Sequence, residues 1–230
     1  MTSSQYESAL IAGAGLGLGA SLARTLSREG FRVAVAARNT VKLGSLCGET
    51  GAQAFACDAT DADQVRRLFD EVSGQIGDPD VVVYNASWRS RGPLVDLLPS
   101  EVERTLAVSA FGGFLVAQQA ARRMITKGKG AILFTGASAS VKGYAQSAPF
   151  AMGKFALRGL AQSMARELAP QGIHVAHFVI DGAIRSPGHV EAQDSMLDPD
   201  AIAESYLHVL RQPRNAWTWE IELRPWVEKF

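Results

Sequence analysis

The segment best suited to holding an anion in this 230-residue chain is Gly13-Ala14-Gly15-Leu16-Gly17-Leu18-Gly19. It follows an apolar β-type run, Ser8–Ala14, and leads into Leu18, Leu22 and Leu26 at helical spacing up to Gly30. A glycine turn from strand to helix lets the backbone approach a diphosphate, whose charge then faces the free N–H groups of the helix start. Gly13, Gly15, Leu16, Gly17 and Leu18 are the expected contacts. The plainer alternative is a turn that needs glycine only for positive φ. The next apolar run ends in Ala36-Ala37-Arg38-Asn39, about 20 residues further on, where dinucleotide folds place an acid for a ribose 2′-OH or an arginine for a 2′-phosphate. The acid is missing and Arg38 is present, which favours NADP(H) over NAD(H). The competing reading of Arg38 is a solvated surface charge.

The elements that must position this turn can be read from hydrophobic periodicity. Strands are expected at Ser8–Ala14, Phe31–Ala37, Ala52–Cys57, Asp80–Tyr84, Gly130–Thr135, Ile173–Ile180 and around Trp219–Leu223. Helices are expected between them: one after the glycines, one at Val41–Glu49 and one capped by Asp61 with Val65, Leu68, Phe69 and Val72 on its apolar face. A long helix is expected from Pro99 to about Thr126, then Phe150–Leu168 and Asp200–Leu210. Alternating strands and helices imply right-handed crossovers and a parallel sheet covered on both faces. The fold class is therefore α/β, a single doubly wound Rossmann-type domain over residues 1–230 with about seven strands.

Composition narrows the partners. A hydrophobic fraction of 47% supports a packed core, and 23 basic against 23 acidic residues leave no net field for nucleic acid or an anionic membrane. No apolar run approaches the ~20 residues of a membrane helix. Met1–Glu7 lacks the basic and apolar regions of a signal peptide, so the cytoplasm is the expected address. Cys47 and Cys57 read as free thiols. No metal site is expected: His174, His177, His189 and His208 form no ligand constellation, and alternation along a strand accounts better for the first two.

At this point the chain resembles the short-chain dehydrogenases/reductases, over about residues 8–188. Gly13-x-x-x-Gly17-x-Gly19 has the family's glycine spacing. Cys57-Asp58 resembles the strand-end Asp beside the adenine, with Ala59 following, and Asn85-Ala86-Ser87 resembles the family's Asn-Ala-Gly. Phe155–Val175 is very similar to the helix and strand after the family's active site. Asp181-Gly182-Ala183-Ile184-Arg185-Ser186 stands where members have Pro-Gly-x-Ile-x-Thr, at the nicotinamide end. The resemblance implies cofactor contacts at Asp58, Ala59, Asn85, Ala86, Ser87, Lys154, Gly182 and Ile184.

It also implies a proton relay that this chain has largely lost. Members use Tyr-x-x-x-Lys on one helical face, the phenol passing the proton and the ammonium lowering its pKa and holding the ribose. Here that motif reads Phe150-Ala151-Met152-Gly153-Lys154, and phenylalanine has no proton to give. The family's Ser falls at Ala137, with Ser138 beside it as a substitute or as a loop hydrogen-bonder. The family's Asn falls at Ser109. Lys154, Ser138, Phe150 and Ser109 are thus the catalytic positions to examine, with Tyr144 as a further phenol near the cleft. Two functions remain open: hydride transfer to a small carbonyl, imine or activated alkene through a non-standard relay, or NADP(H) binding without turnover, as a sensor or partner subunit. Arg185–Leu197 is expected to form a substrate lid. Residues 216–226, with Trp217, Trp219 and Trp226, are expected to form a closing strand and an aromatic contact in a homodimer or homotetramer.

Overall fold

The computed structural model describes residues 6–186 and 195–228. Its sheet is parallel throughout, in the order β3-β2-β1-β4-β5-β6-β7. The strands are β1 (Ser8–Ala12), β2 (Arg32–Ala37), β3 (Gln53–Ala56), β4 (Val81–Tyr84), β5 (Gly130–Thr135), β6 (Ile173–Ile180) and β7 (Glu220–Leu223). The helices are α1 (Leu18–Arg28), α2 (Gly44–Thr50), α3 (Ala62–Ile76), α4 (Pro99–Leu106), α5 (Gly112–Lys127), α6 (Ala148–Leu168) and α7 (Pro199–Leu210).

Successive strand residues face opposite sides, and here both sides are apolar. Ala9 and Ile11 of β1 belong to the core beneath α1 and α7, whereas Leu10 and Ala12 belong to the core beneath α3 and α5. The chain therefore builds two cores on one sheet, and the expected doubly wound fold is present. Local chemistry sets the ends. Asp61 caps α3 by accepting from the N–H groups of Asp63 (2.9 Å) and Gln64 (3.0 Å).

Several boundaries differ from the periodic reading, each for a local reason. β1 stops at Ala12 because Gly13 turns to φ 87° and the N–H groups of Gly13 and Ala14 both donate to Ala36 O at 2.9 Å. The expected helix at Val41–Glu49 begins as a 3₁₀ turn, Val41–Leu43, before α2. The expected continuous helix from Pro99 is interrupted by a π turn, Ala107–Phe111. That wider turn frees carbonyls, and the buried Tyr84 hydroxyl donates to one of them, Val108 O. Of the expected lid, residues 187–194 lie outside the described residues; at its base Ile184 bridges Leu197.

Candidate functional site

The carboxyl ends of β1, β2, β4, β5 and β6 open onto two clefts that share Asn85 and Ser87. This is where strand order reverses between β1 and β4, the place at which a parallel sheet leaves a crevice between diverging helices.

One cleft, about 590 Å³, is lined by Gly13, Ala14, Gly15, Leu16, Arg38, Lys42, Asp58, Ala59, Asn85 and Ala86, among others. Asn85 braces the glycine turn: its N–H donates to Ala12 O (2.8 Å) and its side-chain amide donates to Gly13 O (3.0 Å). Gly15 and Gly17 meet nothing within 4 Å where a Cβ would sit, so the turn faces open space rather than packed side chains. Asp58 is held at the rim, its Oδ1 accepting from the Thr60 N–H (3.0 Å) and hydroxyl (2.8 Å). Arg38 and Lys42 stand together beside it. An open glycine turn at one end and two cations at the other are groups that could hold a dinucleotide. Gly17 and Leu18 lie at the start of α1 without lining this cleft, and Leu18 is packed into the core.

The second cleft, about 610 Å³, is lined by Ser138, Phe150, Lys154, Gly182 and Ile184 together with Tyr144, Ser147, Arg89 and Arg91. Phe150 and Lys154 lie one turn apart on α6, and the Lys154 ammonium is 5.8 Å from the Phe150 ring centre. Lys154 is fully buried and donates to Thr135 O at 2.8 Å. Burial alone pulls its ammonium down to about 8. Ser138 opens a 3₁₀ turn and donates to Asp181, which also accepts from Lys142 at 3.1 Å. Burial pushes the Asp181 carboxyl up, but the bonds from Ser138 and Lys142 outweigh it and hold the carboxyl below its usual range. The buried Ser147 hydroxyl has no hydrogen-bond partner among the described residues.

Ser109 is placed apart from these groups. It lies in the π turn, fully buried, and its Oγ accepts from the Trp88 N–H (3.4 Å) and donates to Trp88 O (3.3 Å). It lines neither cleft. Sequence reasoning missed Lys42, Ser147, Arg89 and Arg91. The signal for the arginines was available, an alternating pair Arg89-Ser90-Arg91 one residue after Asn85-Ala86-Ser87; nothing in the spacing said which way it would point. Cys57 is buried, which pushes its thiol up to about 11 and makes it unreactive.

Comparisons with known proteins converge on one family. The family model for short chain dehydrogenases matches residues 7–195. The D-threitol dehydrogenase of Mycolicibacterium smegmatis is 30% identical over 172 residues, covering 73% of this chain and 66% of that relative, so the match spans just under two thirds of its length. A short-chain dehydrogenase from Rhodopseudomonas palustris superposes with a TM-score of 0.82 at 34% identity, covering 95% of this chain and 99% of that one. A metagenomic short-chain oxidoreductase solved in complex with NADP superposes with a TM-score of 0.84 at 29% identity, covering 95% and 97%.

Proposed function

From the premise that this chain belongs to the short chain dehydrogenase family, as an oxidoreductase of NAD(P)-dependent type, we propose that it is an NADP(H)-dependent reductase of a small organic substrate, working without a phenol. The observation that carries this reading is the pair of adjoining clefts. One has the open glycine turn with Arg38 and Lys42; the other has the buried ammonium of Lys154; Asn85 and Ser87 line both.

The bound dinucleotide would supply the hydride. The chain's own residues do the rest. The amides of Gly15 and Leu16 face the diphosphate, those of Gly13 and Ala14 being taken by Ala36 O, and Arg38 with Lys42 selects the 2′-phosphate by bidentate and point-charge contacts. Asp58, Ala59 and Ala86 border the adenosine end, Gly182 and Ile184 the other. Lys154, held against Thr135 O, has two further N–H donors for ribose hydroxyls. Phe150 moves no proton. A developing oxyanion therefore takes its proton from water held by Ser138 beside the ionised Asp181 and by the Ser147 hydroxyl, which has no partner among the described residues, and the hydroxide left behind is neutralised by a proton from bulk solvent. Such a relay is weaker than a phenol, which suits iminium ions, activated alkenes and strongly polarised carbonyls.

A thermal-shift comparison of no ligand, NADH and NADPH tests the cofactor, because binding stabilises the fold by RT ln(1 + [L]/Kd). NADPH is expected to raise Tm more than NADH at equal concentration; equal shifts would remove the argument from Arg38. Turnover is tested with Phe150→Tyr, which is expected to gain reduction of unactivated ketones that is absent from the parent. A parent that binds NADPH tightly and reduces no carbonyl, imine or enone supports the silent sensor or partner subunit instead.

A further inference from the structure

The cleft around Phe150 and Lys154 carries more positive charge than hydride transfer uses. Arg89 and Arg91 reach it from the segment after β4, and no Asp or Glu is among its described lining residues. The Arg89 guanidinium lies 4.8 Å from the centre of the Phe150 ring, so a cation stands over the position where a phenol was expected. Neither arginine has an ion-pair partner within 4.0 Å among the described residues. Burial, and then the charge of Arg91, holds the Arg89 guanidinium below its usual range.

Two guanidinium groups that line one cleft with no ion-pair partner among the described residues can receive an anion there, since planar fork donors pair with carboxylate or phosphate oxygens in two parallel bonds. The backbone that carries them is also fixed on both sides. Trp88 is tied by its N–H and C=O to Ser109 Oγ and by its indole N–H to Glu101 (3.0 Å). Gly92 N–H donates to Gln146 O (3.1 Å), which joins the arginine segment to the loop before α6. A site whose backbone is set before the ligand arrives loses less ordering entropy on binding.

We propose that Arg89 and Arg91 form an anion subsite and that the substrate reduced in this cleft bears a carboxylate or phosphate next to its reacting carbon. The inference rests on the reductase reading and narrows its substrate class to oxo acids and oxo phosphates.

The test is calorimetric titration of the protein saturated with NADP+, which cannot reduce the ligand, with 2-oxobutanoate, its amide and inorganic phosphate, repeated for Arg89→Gln, Arg91→Gln and, as a distant charge control, Arg66→Gln. The parent is expected to bind the acid at least about tenfold more tightly than the amide, and each cleft variant to lose about 10–100-fold for the acid with NADP+ affinity unchanged. Phosphate binding tighter than acid binding, lost in the same variants, assigns the subsite to phosphate esters. Equal affinity for acid and amide in the parent overturns the proposal. So do variants that weaken NADP+ while leaving the acid-to-amide ratio intact, since the arginines would then serve the cofactor. If the parent fails to bind NADP+ or NADPH at all, the reductase reading falls; an acid preference measured without either still supports the subsite.

Discussion

Single residues in this protein are tuned chiefly by burial. His177 on β6 is fully buried, its Nδ1 3.1 Å from Glu220 Oε2 and its Nε2 without a partner among the described residues. Burial outweighs the attraction of Glu220 and pulls the imidazole from 6.5 down to about 4. Its neutral form is therefore the native one at pH 7. Between pH 6.5 and 4 the unfolded chain takes up a proton that the folded chain refuses, so stability falls as pH falls through that window. By pH 5 the loss from this one group is about 2 kcal/mol. His174, also lowered by burial, adds in the same direction. Asp181 and Glu220, both held below their usual ranges, keep their contribution until lower pH. Urea melts of the parent and His177→Gln at pH 7.5 and pH 5 check this: the parent should lose stability on acidification and the variant distinctly less. Equal losses would mean that His177 titrates as an exposed imidazole does.

At the scale of elements, the glycine turn divides two jobs that its sequence runs together. Gly13 has φ 87°, and a Cβ there would sit 2.3 Å from the Ala86 backbone nitrogen; at Gly15 a Cβ would meet nothing within 4 Å. Gly13→Ala is therefore expected to destabilise the ligand-free protein by about 2 kcal/mol or more, from left-handed strain plus a backbone clash. Gly15→Ala should leave the ligand-free Tm nearly unchanged and reduce the shift produced by NADPH, because its methyl enters the cleft. Tm values with and without NADPH separate the two, and a normal Tm for Gly13→Ala would refute the assigned strain. The same contrast explains what could be read in advance. Order and type of strands and helices were legible because both sheet faces are buried, so β1, β4, β5 and β6 are near-continuous apolar runs. The glycine turn, Arg38, Asp58 and Lys154 were legible because each follows a strand end or a helical period. The π turn was not, because it depends on Tyr84, remote in sequence, accepting the role of partner to Val108. The direction of Arg89 was hidden likewise, since it follows from Trp88 being fastened to Ser109 across two elements.

The molecule as a whole leaves one face unfinished. Phe111, Phe114, Met152 and Phe155 are each 40–51% exposed. Phe111 and Phe114 line a groove of about 490 Å³ with Glu103, Leu106, Ala107, Ala110, Ala156 and Leu160, formed where α4, the π turn and α5 pack beside α6, the helix that also carries Met152 and Phe155. A largely apolar groove of this kind on a chain of formal net charge 0 has little repulsion to keep copies apart. The C-terminal tryptophans, by contrast, are partly spent inside the chain. Trp217 stacks on His174 with ring centres 4.6 Å apart, and Trp219 lies under Arg158; Trp226 alone of these is mostly exposed. We therefore expect a homo-oligomer whose main contact is the helical face, with residues 216–226 secondary. Sedimentation equilibrium at micromolar concentration should give a dimer or tetramer for the parent. Phe111→Glu combined with Phe155→Glu should shift it to the monomer, because two buried carboxylates per copy without partners oppose the contact. Trp226→Asp should leave the assembly intact. If the mass instead falls with Trp226→Asp and not with the helical pair, the contact runs through the C-terminal segment and the α5–α6 groove faces water.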